Sequence, residues 1–438
     1  MNPRQITLAL LDEYELEGKY VNLSLSSHRL DGITREERGL VTALLYTAVE
    51  HKLTYDYYIS AVAKRSVDDI DIHTLNILRL GCTQLLGMDR IADHTAVNET
   101  VKLGTNKGER GFINGVLRAI IRHRDAGTLP MPERKRNPAR YLSVKYSFPV
   151  GLVRHFISLY GEDDAETILN TFNTEKYTDI TVNTIKTDRE TLVKRLGELG
   201  VAATPSAFSG LSIRLDGSYN PSALPGFSDG EFFIQDASCA VSIEALAPTE
   251  NDAILDVCAC PGGKSFAAAI LSGGGAKILS LDLHESKLSL VTDGAARLGL
   301  ANVSAMQNDA TVPRVEFFGK FDRIICDVPC SGLGVLGKKA DLRYNAEGAM
   351  DRLPELQYEI LSTAAKYLRV GGTLVYSTCT LNPAENADNV TRFLGENSNF
   401  AAVDFAVGTL SSTNGMLTLL PHIHHTDGFF IAKLVKKS

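Results

Sequence analysis

The sequence of 438 residues has no tryptophan, no long apolar run and no excess of positive charge. Its N-terminus turns acidic within a dozen residues and has no hydrophobic core of a secretory signal. No apolar stretch approaches the length of a membrane span. We therefore expect a cytoplasmic protein with no membrane partner. The net charge of -7 also argues against a surface coated with basic residues for nucleic acid.

Paired cysteines are also missing. The seven cysteines are odd in number and scattered, and no Cys-x-x-Cys pair occurs, so we expect no disulfide framework. Cys258-x-Cys260 has no second ligand pair at zinc spacing, and the histidines in Pro421-His-Ile-His-His have no further ligands nearby. The sequence therefore predicts no metal site.

The chain length predicts two to four domains. Apolar residues recur at helical spacing through residues 1–130, which predicts an all-helical domain. A proline-rich basic linker follows, and mixed helix and strand patterns over 139–235 predict a small α+β module. From 236 to 438, continuous apolar strands alternate with helices, as in a mostly parallel sheet covered on both faces.

The first strand of this last region runs into a glycine-rich turn, Cys258-Ala-Cys-Pro-Gly-Gly-Lys264. The turn lacks both Gly-x-Gly-x-x-Gly and Gly-x-x-x-x-Gly-Lys-Ser/Thr, which disfavours dinucleotide dehydrogenases and P-loop NTPases. Asp282 ends the next predicted strand, where a carboxylate can accept both hydroxyls of a ribose, and Asp309 ends the third. A methyl donor such as S-adenosylmethionine, which has ribose and adenine but no pyrophosphate, fits these residues.

Two cysteines follow predicted buried strands, Cys330 in Asp327-Val-Pro-Cys-Ser-Gly and Cys379 in Tyr376-Ser-Thr-Cys-Thr. A thiolate that adds to C6 of a pyrimidine activates C5 towards an electrophilic methyl group. Asp327 is suitably placed to act beside N3 of the ring. The paired motifs favour this chemistry over two small buried core residues, but they leave open which cysteine attacks.

Three segments resemble the Nop/Sun family of RNA 5-methylcytosine methyltransferases. They are Asp256-Val-Cys-Ala-Cys-Pro-Gly-Gly-Lys-Ser, Asp327-Val-Pro-Cys-Ser-Gly-Leu-Gly and Tyr376-Ser-Thr-Cys-Thr-Leu-Asn-Pro-Ala-Glu-Asn. Near the N-terminus, Ala96-Val-Asn-Glu-Thr-Val-Lys-Leu and Gly111-Phe-Ile-Asn-Gly-Val-Leu-Arg are similar to the NusB RNA-binding fold. The resemblance covers nearly the whole chain. It implies a NusB-like helical domain, an RRM-like α+β module and a Rossmann-like class I methyltransferase domain with a mostly parallel seven-stranded sheet.

By this resemblance Cys379 is the nucleophile, Cys330 assists release of the methylated base, and Asp327 holds the cytosine edge. The resemblance also implies S-adenosylmethionine as the cofactor. The residues expected to bind it are Cys258, Ala259, Cys260, Pro261, Gly262, Gly263, Lys264, Asp282, Asp309 and Asp327. Cys260 departs from the family, which usually has alanine there.

The implied substrate is 16S ribosomal RNA, with an unstacked or single-stranded cytosine methylated at C5 by a monomeric enzyme. Two alternatives remain open. One is a methyltransferase of the same chemistry that acts on transfer RNA, and the other is a non-catalytic RNA-binding factor of ribosome assembly.

Basic residues are the candidates for RNA contact, although a basic run is also typical of a solvated linker. The candidates are Arg118, Arg122, Arg134, Lys135, Arg136, Lys338, Lys339 and Arg343. The last three lie in a segment, residues 337–344, that lacks the His-Pro-containing stretch of the family.

Overall fold

A computed structural model describes residues 2–18, 21, 25, 30–175, 177–217 and 219–438. The chain forms two compact units. The first comprises Met1–Asn173 with Lys339–Asn345, and the second comprises Thr174–Lys338 with Ala346–Ser438. Among the described residues, no helix has both the length and the apolar character that membrane crossing requires.

The first unit is helical, as its sequence predicted. Its helices are α1 (Pro3–Glu17), α2 (Arg35–Glu50), α3 (Lys52–Ala63), α4 (Ile72–Leu86), α5 (Asp93–Val101), α6 (Lys107–Asp125), α7 (Pro138–Tyr146) and α8 (Val150–Thr174). Capping boxes begin α1 and α2, where the side chains of Asn2 and Thr34 accept hydrogen bonds from backbone N–H groups that have no partner within the helix. Fully buried leucines such as Leu44, Leu78 and Leu117 form the core between the helices.

Helices α7 and α8 belong to this helical unit, whereas the sequence placed the start of the middle module at residue 139. Their apolar faces bury Leu142, Phe156 and Phe172. The periodicity of the sequence predicts such a face but does not say which neighbour covers it.

A short segment from the second half of the sequence also lies in the first unit. Residues Ala340–Tyr344 form a 3₁₀ helix there. The Arg343 side chain is 0% exposed, and its guanidinium lies 3.8 Å from the centre of the Phe148 ring and donates a 2.7 Å hydrogen bond to Asn173 Oδ1. The expectation that Arg343 contacts RNA is therefore wrong, because a guanidinium inside the protein has no surface for a phosphate.

The second unit begins with a four-stranded antiparallel sheet in the order β2-β3-β1-β4. The strands are β1 (Tyr177–Val182), β2 (Ala203–Pro205), β3 (Ser212–Asp216) and β4 (Phe232–Ile234), and helix α9 (Arg189–Glu198) follows β1. Ile180, Ile213 and Phe232 of the sheet pack with Leu192 and Leu196 of α9 in a small core. The α+β module is therefore confirmed.

The main sheet follows the order β10-β14-β9-β8-β5-β6-β7, with β13 also paired to β14. Its strands are β5 (Ala253–Asp256), β6 (Lys277–Asp282), β7 (Val303–Gln307), β8 (Phe321–Asp327), β9 (Leu368–Thr378), β10 (Phe400–Ala402), β13 (Met416–Leu419) and β14 (Phe429–Lys436), and β11 (Ala406–Val407) pairs with β12 (Leu410–Ser411) outside it. Strands β5 to β9 pair in parallel, and β14 runs antiparallel to β9.

The mostly parallel sheet is confirmed, with one correction to the strand number. The sheet has eight strands instead of the expected seven, because β10 and β13 both pair with β14. Ala401 lies opposite Val435 near one end of β14, and Leu417 lies opposite Ile431 further along it. Short edge strands of this kind have too little apolar alternation to be recognised in a sequence.

Both faces of the sheet are buried. Alternate residues of one strand enter two different cores, as Ile254 and Leu255 of β5 do. The helices that cover the faces are α10 (Ala237–Leu246), α11 (Gly263–Leu271), α12 (Leu288–Leu298), α13 (Ala346–Tyr367) and α14 (Ala387–Glu396), and a short α15 (Pro421–His424) precedes β14. The parallel strands therefore present their carboxyl ends at one edge, where a ligand site is expected.

Candidate active site

The glycine-rich turn joins β5 to α11 at this edge. Ala259 N–H donates to the carbonyl of Leu281, and Gly262 N–H donates to Ala259 O at 2.7 Å. Gly262 has φ +111°, and a Cβ on it would lie 2.5 Å from a ring carbon of Phe266. Only glycine fits this position, because a side chain would be strained in the backbone and would collide with the Phe266 ring.

Asp282 lies at the end of β6 and contacts the turn. Its Oδ2 accepts a 3.2 Å hydrogen bond from Cys260 N–H, and its Oδ1 accepts one from His284 N–H at 3.0 Å. The Cys260 thiol donates to the carbonyl of Lys287 at 3.3 Å. Burial raises the pKa of this thiol, and the neighbouring Asp282 raises it further. The hydrogen bond from the N–H of residue 260 to Asp282 belongs to the backbone and does not need a cysteine at this position.

The turn is surrounded by carboxylates. Burial raises the pKa of the Cys258 thiol, and the negative charges of Asp256, Asp327, Asp282 and Asp309 raise it further. Burial is also the main cause that raises the pKa of Asp256 to about 7. Ser265 Oγ donates to Asp256 Oδ2 at 2.7 Å, whereas Asp256 Oδ1 is buried without a hydrogen-bond partner. An acidic surrounding of this kind fits a ligand that carries positive charge.

Asp309 follows β7, and its Oδ1 accepts hydrogen bonds from Thr311 N–H at 2.9 Å and Thr311 Oγ1 at 2.7 Å. These hydrogen bonds lower the pKa of Asp309. The carboxylate therefore stabilises a turn of the backbone. Its part in cofactor binding stays a prediction.

Lys264 lies in the first turn of α11 and forms an ion pair that the sequence did not predict. Its Nζ lies 2.6 Å from Asp327 Oδ2 at the end of β8, and Asp327 Oδ1 accepts a 2.7 Å hydrogen bond from Ser377 Oγ on β9. Burial lowers the pKa of Lys264, but the neighbouring negative charges, that of Asp327 above all, outweigh it and raise the pKa. The ammonium group of Lys264 therefore stays charged and is paired with Asp327.

The side chains of Cys330 and Cys379 are in contact. Their Sγ atoms are 3.2 Å apart, and Gly334 N–H of the Cys330 loop donates to Cys379 O at 2.9 Å. The hydrogen bond with Cys379 is the main cause that raises the pKa of Cys330, followed by burial and by negative charges that include Glu385 and Asp327. Cys330 therefore keeps its proton and can share it with the neighbouring sulfur.

Hydrogen-bonding residues that the sequence analysis did not single out hold the two cysteine loops together. Glu385 accepts from Ser331 Oγ at 2.5 Å and from Gln357 Nε2 at 2.8 Å, and Ser331 Oγ lies 2.7 Å from Thr380 Oγ1. The Asn-Pro-Ala-Glu-Asn segment that carries Glu385 was visible in the sequence as part of the family resemblance. Its contact with the other loop depends on the parallel pairing of β8 and β9.

Apart from the buried Arg343, the basic residues expected to contact RNA divide into two groups. Lys338, whose side chain is 37% exposed, pairs with Asp236 at 2.6 Å and Asp427 at 2.9 Å, and Arg134 pairs with Glu162 and Glu166. These partners compete with a phosphate for the two cations. The other group is exposed on the first unit and consists of Arg118, Arg122, Lys135, Arg136 and Lys339.

Family models match three parts of the chain. The NusB family matches residues 1–122, a ferredoxin-like domain described as RsmF/B-like matches residues 148–221, and the 16S rRNA methyltransferase RsmB/F family matches residues 243–435. The three matches fall on the helical unit, the region around the small sheet and the domain with the main sheet.

Solved structures are also similar to this chain, and two of them overlap with most of its length. The crystal structure of PH0851 has a TM-score of 0.80 at 24% identity and covers 100% of this chain and 99% of that chain, which shows the fold. The structure of NSun6 from Pyrococcus horikoshii with SFG has a TM-score of 0.59 at 25% identity and covers 67% of this chain and 99% of that chain.

Relatives match over the full length. The probable ribosomal RNA small subunit methyltransferase B of Synechocystis sp. is 34% identical, with 100% of both chains covered. The protein of the same name in Bacillus subtilis is 33% identical over 99% of this chain and 98% of that protein, and the Escherichia coli K12 methyltransferase B is 30% identical over 92% of each. The family resemblance found in the cysteine and glycine-rich segments is thus confirmed, and this chain belongs to the family of ribosomal RNA small subunit methyltransferase B.

Proposed function

We propose that this protein is an S-adenosylmethionine-dependent enzyme that methylates C5 of a cytosine in 16S ribosomal RNA. The observation that carries the proposal is the 3.2 Å separation of the Cys330 and Cys379 sulfurs at the carboxyl edge of the parallel strands. The 16S rRNA methyltransferase family model and the names of the relatives support the substrate class.

The reaction begins with attack by Cys379 on the cytosine ring. The Cys379 thiolate forms a bond to C6 of the cytosine, and the electron pair of the C5–C6 double bond moves into the ring. C5 then reacts as a nucleophile, like the carbon of an enamine, whereas C5 of an unmodified pyrimidine is not nucleophilic enough. The target base leaves the stack to enter the site, since C5 and C6 are covered by neighbouring bases in a helix.

The residues around the glycine-rich turn would hold the cofactor. S-adenosylmethionine supplies a methyl group on a positively charged sulfur when it is bound. The carboxylates around Cys258 complement that charge, and Asp282 at the end of β6 is placed to accept the ribose hydroxyls. The first backbone N–H groups of α11, those of Gly263 and Lys264, would provide further hydrogen-bond donors.

Asp327 and Lys264 would orient the base. The Asp327 carboxylate accepts hydrogen bonds from the amino edge of the cytosine, and the Lys264 ammonium at 2.6 Å fixes the position of that carboxylate. Ser377 Oγ fixes its other oxygen. A cytosine held by this edge has a fixed orientation, with its ring face towards the nucleophile.

Release of the methylated base requires that C5 loses its proton and that the bond between C6 and the cysteine sulfur breaks. After methyl transfer C5 carries both a methyl group and a proton. The proton passes to water, its bonding electrons re-form the C5–C6 double bond, and the C6–S bond breaks with its electrons on Cys379. The Cys330 thiol, 3.2 Å away, donates its proton towards the departing sulfur and stabilises it.

Exposed basic residues of the first unit would contact the RNA backbone. They are Arg118, Arg122, Lys135, Arg136 and Lys339. The logarithm of the binding constant falls linearly with the logarithm of the salt concentration, and each phosphate contact makes this slope steeper by about 0.7 to 0.9. Such contacts position the RNA but read no base, so the choice of cytosine depends on the pocket around Asp327.

The test combines RNA from a deletion strain with two cysteine variants. Bisulfite sequencing should show one cytosine of 16S ribosomal RNA that loses methylation in the deletion and regains it with the wild-type gene. Cys379→Ala should restore none, and purified Cys330→Ala should accumulate a covalent complex with RNA on a denaturing gel. Cys82→Ala, a buried position of the helical unit, serves as a thiol control and should methylate normally. Normal methylation by Cys379→Ala would reject the mechanism, and a lost transfer RNA site instead of a ribosomal one would reject the substrate.

A further inference from the structure

The Glu385 side chain is a buried carboxylate outside the groups assigned above. It ends a 3₁₀ turn, Pro383–Glu385, six residues after Cys379, and it is 0% exposed. Among the described residues, no lysine, arginine or histidine forms an ion pair with it. A buried carboxylate without a counter-ion is costly, so the site must supply hydrogen bonds that keep it there.

Both oxygens of Glu385 are fully used. Oε1 accepts from Ser331 Oγ at 2.5 Å and from Asn382 Nδ2 at 3.0 Å. Oε2 accepts from Ser331 N–H at 2.9 Å and from Gln357 Nε2 at 2.8 Å. The donors are all neutral, and two of the four hydrogen bonds come from Ser331, the residue that follows Cys330.

The same hydrogen bonds reach both cysteine loops. Ser331 Oγ lies 2.7 Å from Thr380 Oγ1, next to Cys379 in the chain. Gln357 on α13 also donates to Pro329 O at 2.9 Å, which precedes Cys330. The carboxylate therefore fixes the residue after Cys330, and through Ser331 and Thr380 it connects to the residue after Cys379.

We propose that Glu385 is a positioning residue that holds the Cys330 thiol against Cys379 for release of the methylated base. This inference rests on the proposed function, in which Cys330 assists the departure of Cys379 from C6. Glu385 acts through Ser331 and touches neither cofactor nor base. A displacement of about 1 Å in a reacting group lowers a rate by about 100-fold.

The charge of Glu385 adds a second effect on the same thiol. The pKa of Cys330 is raised first by its hydrogen bond with Cys379 and by burial, and the negative charge of Glu385 contributes to the rise. A protonated Cys330 is a hydrogen-bond donor to Cys379 and a poor competitor for C6. Glu385 thus helps to distinguish the two neighbouring sulfurs, one as donor and one as nucleophile.

The experiment compares Glu385→Gln with Glu355→Gln in the full-length protein. Glutamine keeps the shape but presents an NH₂ group to donors, so the contacts of one oxygen are lost. Glu355 is an exposed carboxylate on α13 that pairs with Arg392. We expect Glu385→Gln to lower kcat by about 100-fold, to leave KM for RNA and the Kd for S-adenosylmethionine within about twofold, and to accumulate the covalent RNA complex seen with Cys330→Ala. Glu355→Gln should behave as wild type.

A purely structural role would lower the covalent complex and the product together, and that result would overturn the inference. Wild-type kcat in Glu385→Gln, with Cys379→Ala inactive, would also overturn it and leave the proposed function intact. Active Cys379→Ala would instead remove the proposed function itself.

If Glu385→Gln does not fold, Ser331→Ala tests the same connection, since it removes the hydroxyl that joins Glu385 to Thr380. Accumulation of the covalent complex by Ser331→Ala supports the proposal, and unchanged turnover refutes it. Where both variants fold, the double variant should lose no more than the worse single one, because both act in one chain of hydrogen bonds.

Discussion

Lys264 Nζ lies 2.6 Å from Asp327 Oδ2, so the turn that follows β5 is joined by an ion pair to the end of β8. The side chains are only 11% and 28% exposed, respectively. Lys264 also lies 3.5 Å from Cys239 Sγ and 5.2 Å from the centre of the Phe429 ring. This cation is therefore paired with Asp327, the residue proposed to hold the base, and the part in cofactor binding that the sequence gave it stays a prediction.

Replacing Lys264 by methionine should lower kcat for methyl transfer by about 100-fold, because Asp327 loses the ion pair that holds it in place. We expect the Kd for S-adenosylmethionine to change by less than about threefold. Radiolabelled methyl transfer and calorimetry measure the two quantities. Lys320→Met, at an exposed residue, is the control. A large loss of cofactor affinity with kcat preserved would return Lys264 to the cofactor site.

The hydrogen bond from Cys260 N–H to Asp282 can be tested by two variants, Asp282→Asn and Cys260→Ala, each of which replaces one of the two residues. The Asp282→Asn substitution removes the charged acceptor for the ribose, and we expect the Kd for S-adenosylmethionine to rise by about 10-fold, as loss of one charged hydrogen bond predicts. Cys260→Ala keeps the backbone N–H that donates to Asp282, so its Kd should stay within about twofold of wild type. Calorimetric titration with the cofactor measures both. A tenfold loss in Cys260→Ala would mean that the thiol itself contributes to binding.

The raised pKa of Asp256 predicts a pH dependence of stability. In the folded protein burial raises its pKa from 3.8 to about 7, so the folded state keeps a proton that the unfolded chain has released. The free energy of unfolding therefore falls as the pH rises from about 4 to 7 and is then constant. We expect the fall between pH 5 and pH 8 to be smaller in Asp256→Asn than in wild type by about 2 kcal/mol.

Denaturant unfolding of both proteins at the two pH values measures this difference. Asp427, whose pKa burial also raises to about 7, is present in both proteins, so its contribution cancels in the comparison. Equal pH dependence in wild type and Asp256→Asn would show that Asp256 is ionised in the folded state at pH 5.

Arg343→Met should destabilise the protein by about 3 kcal/mol, because the carbonyl groups of Glu50 and Ser147 and Asn173 Oδ1 lose their buried donor. Arg352→Met is the control, since Arg352 is exposed and donates only within α13. Its effect should be below about 0.5 kcal/mol. Thermal unfolding measures both. Equal stability of the two variants would contradict a structural role for the buried guanidinium.

Much of the main sheet was visible in the sequence. The sequence predicted continuous apolar strands over residues 236–438, and the apolar runs that begin at Lys277, Phe321 and Phe429 are strands of this kind. Such runs are long, rich in branched residues and bounded by turns, so local pattern is sufficient. The edge strands β10 and β13 were not visible, because three or four residues carry no periodicity that separates them from a loop.

The sequence placed the cysteines at strand ends but could not give their distance. Parallel pairing of β8 and β9 sets Asp327 opposite Ser377, and this register brings residues 330 and 379 together. The contacts of Glu385, Gln357 and Ser331 follow from the same register, so they were out of reach as well. Long-range pairing of elements, unlike local periodicity, is not encoded in any short window.

The basic residues illustrate the limit of composition. Lys338 and Arg343 read as cations available to phosphate, yet one pairs with two carboxylates and the other is inside the helical unit. Only the fold assigns a partner to a charge. The exposed residues Arg118 and Arg122 of α6 keep the interpretation that the sequence gave them.

Because residues 339–345 return to the helical unit, the catalytic part is not an uninterrupted stretch of polypeptide. A fragment that starts at residue 174 would carry a heptapeptide with Arg343 but without Phe148 and Asn173 to receive it. A chain divided at that junction would therefore have Arg343 in one piece and its partners Phe148 and Asn173 in the other. This buried contact forms within a single polypeptide only when both parts are encoded together.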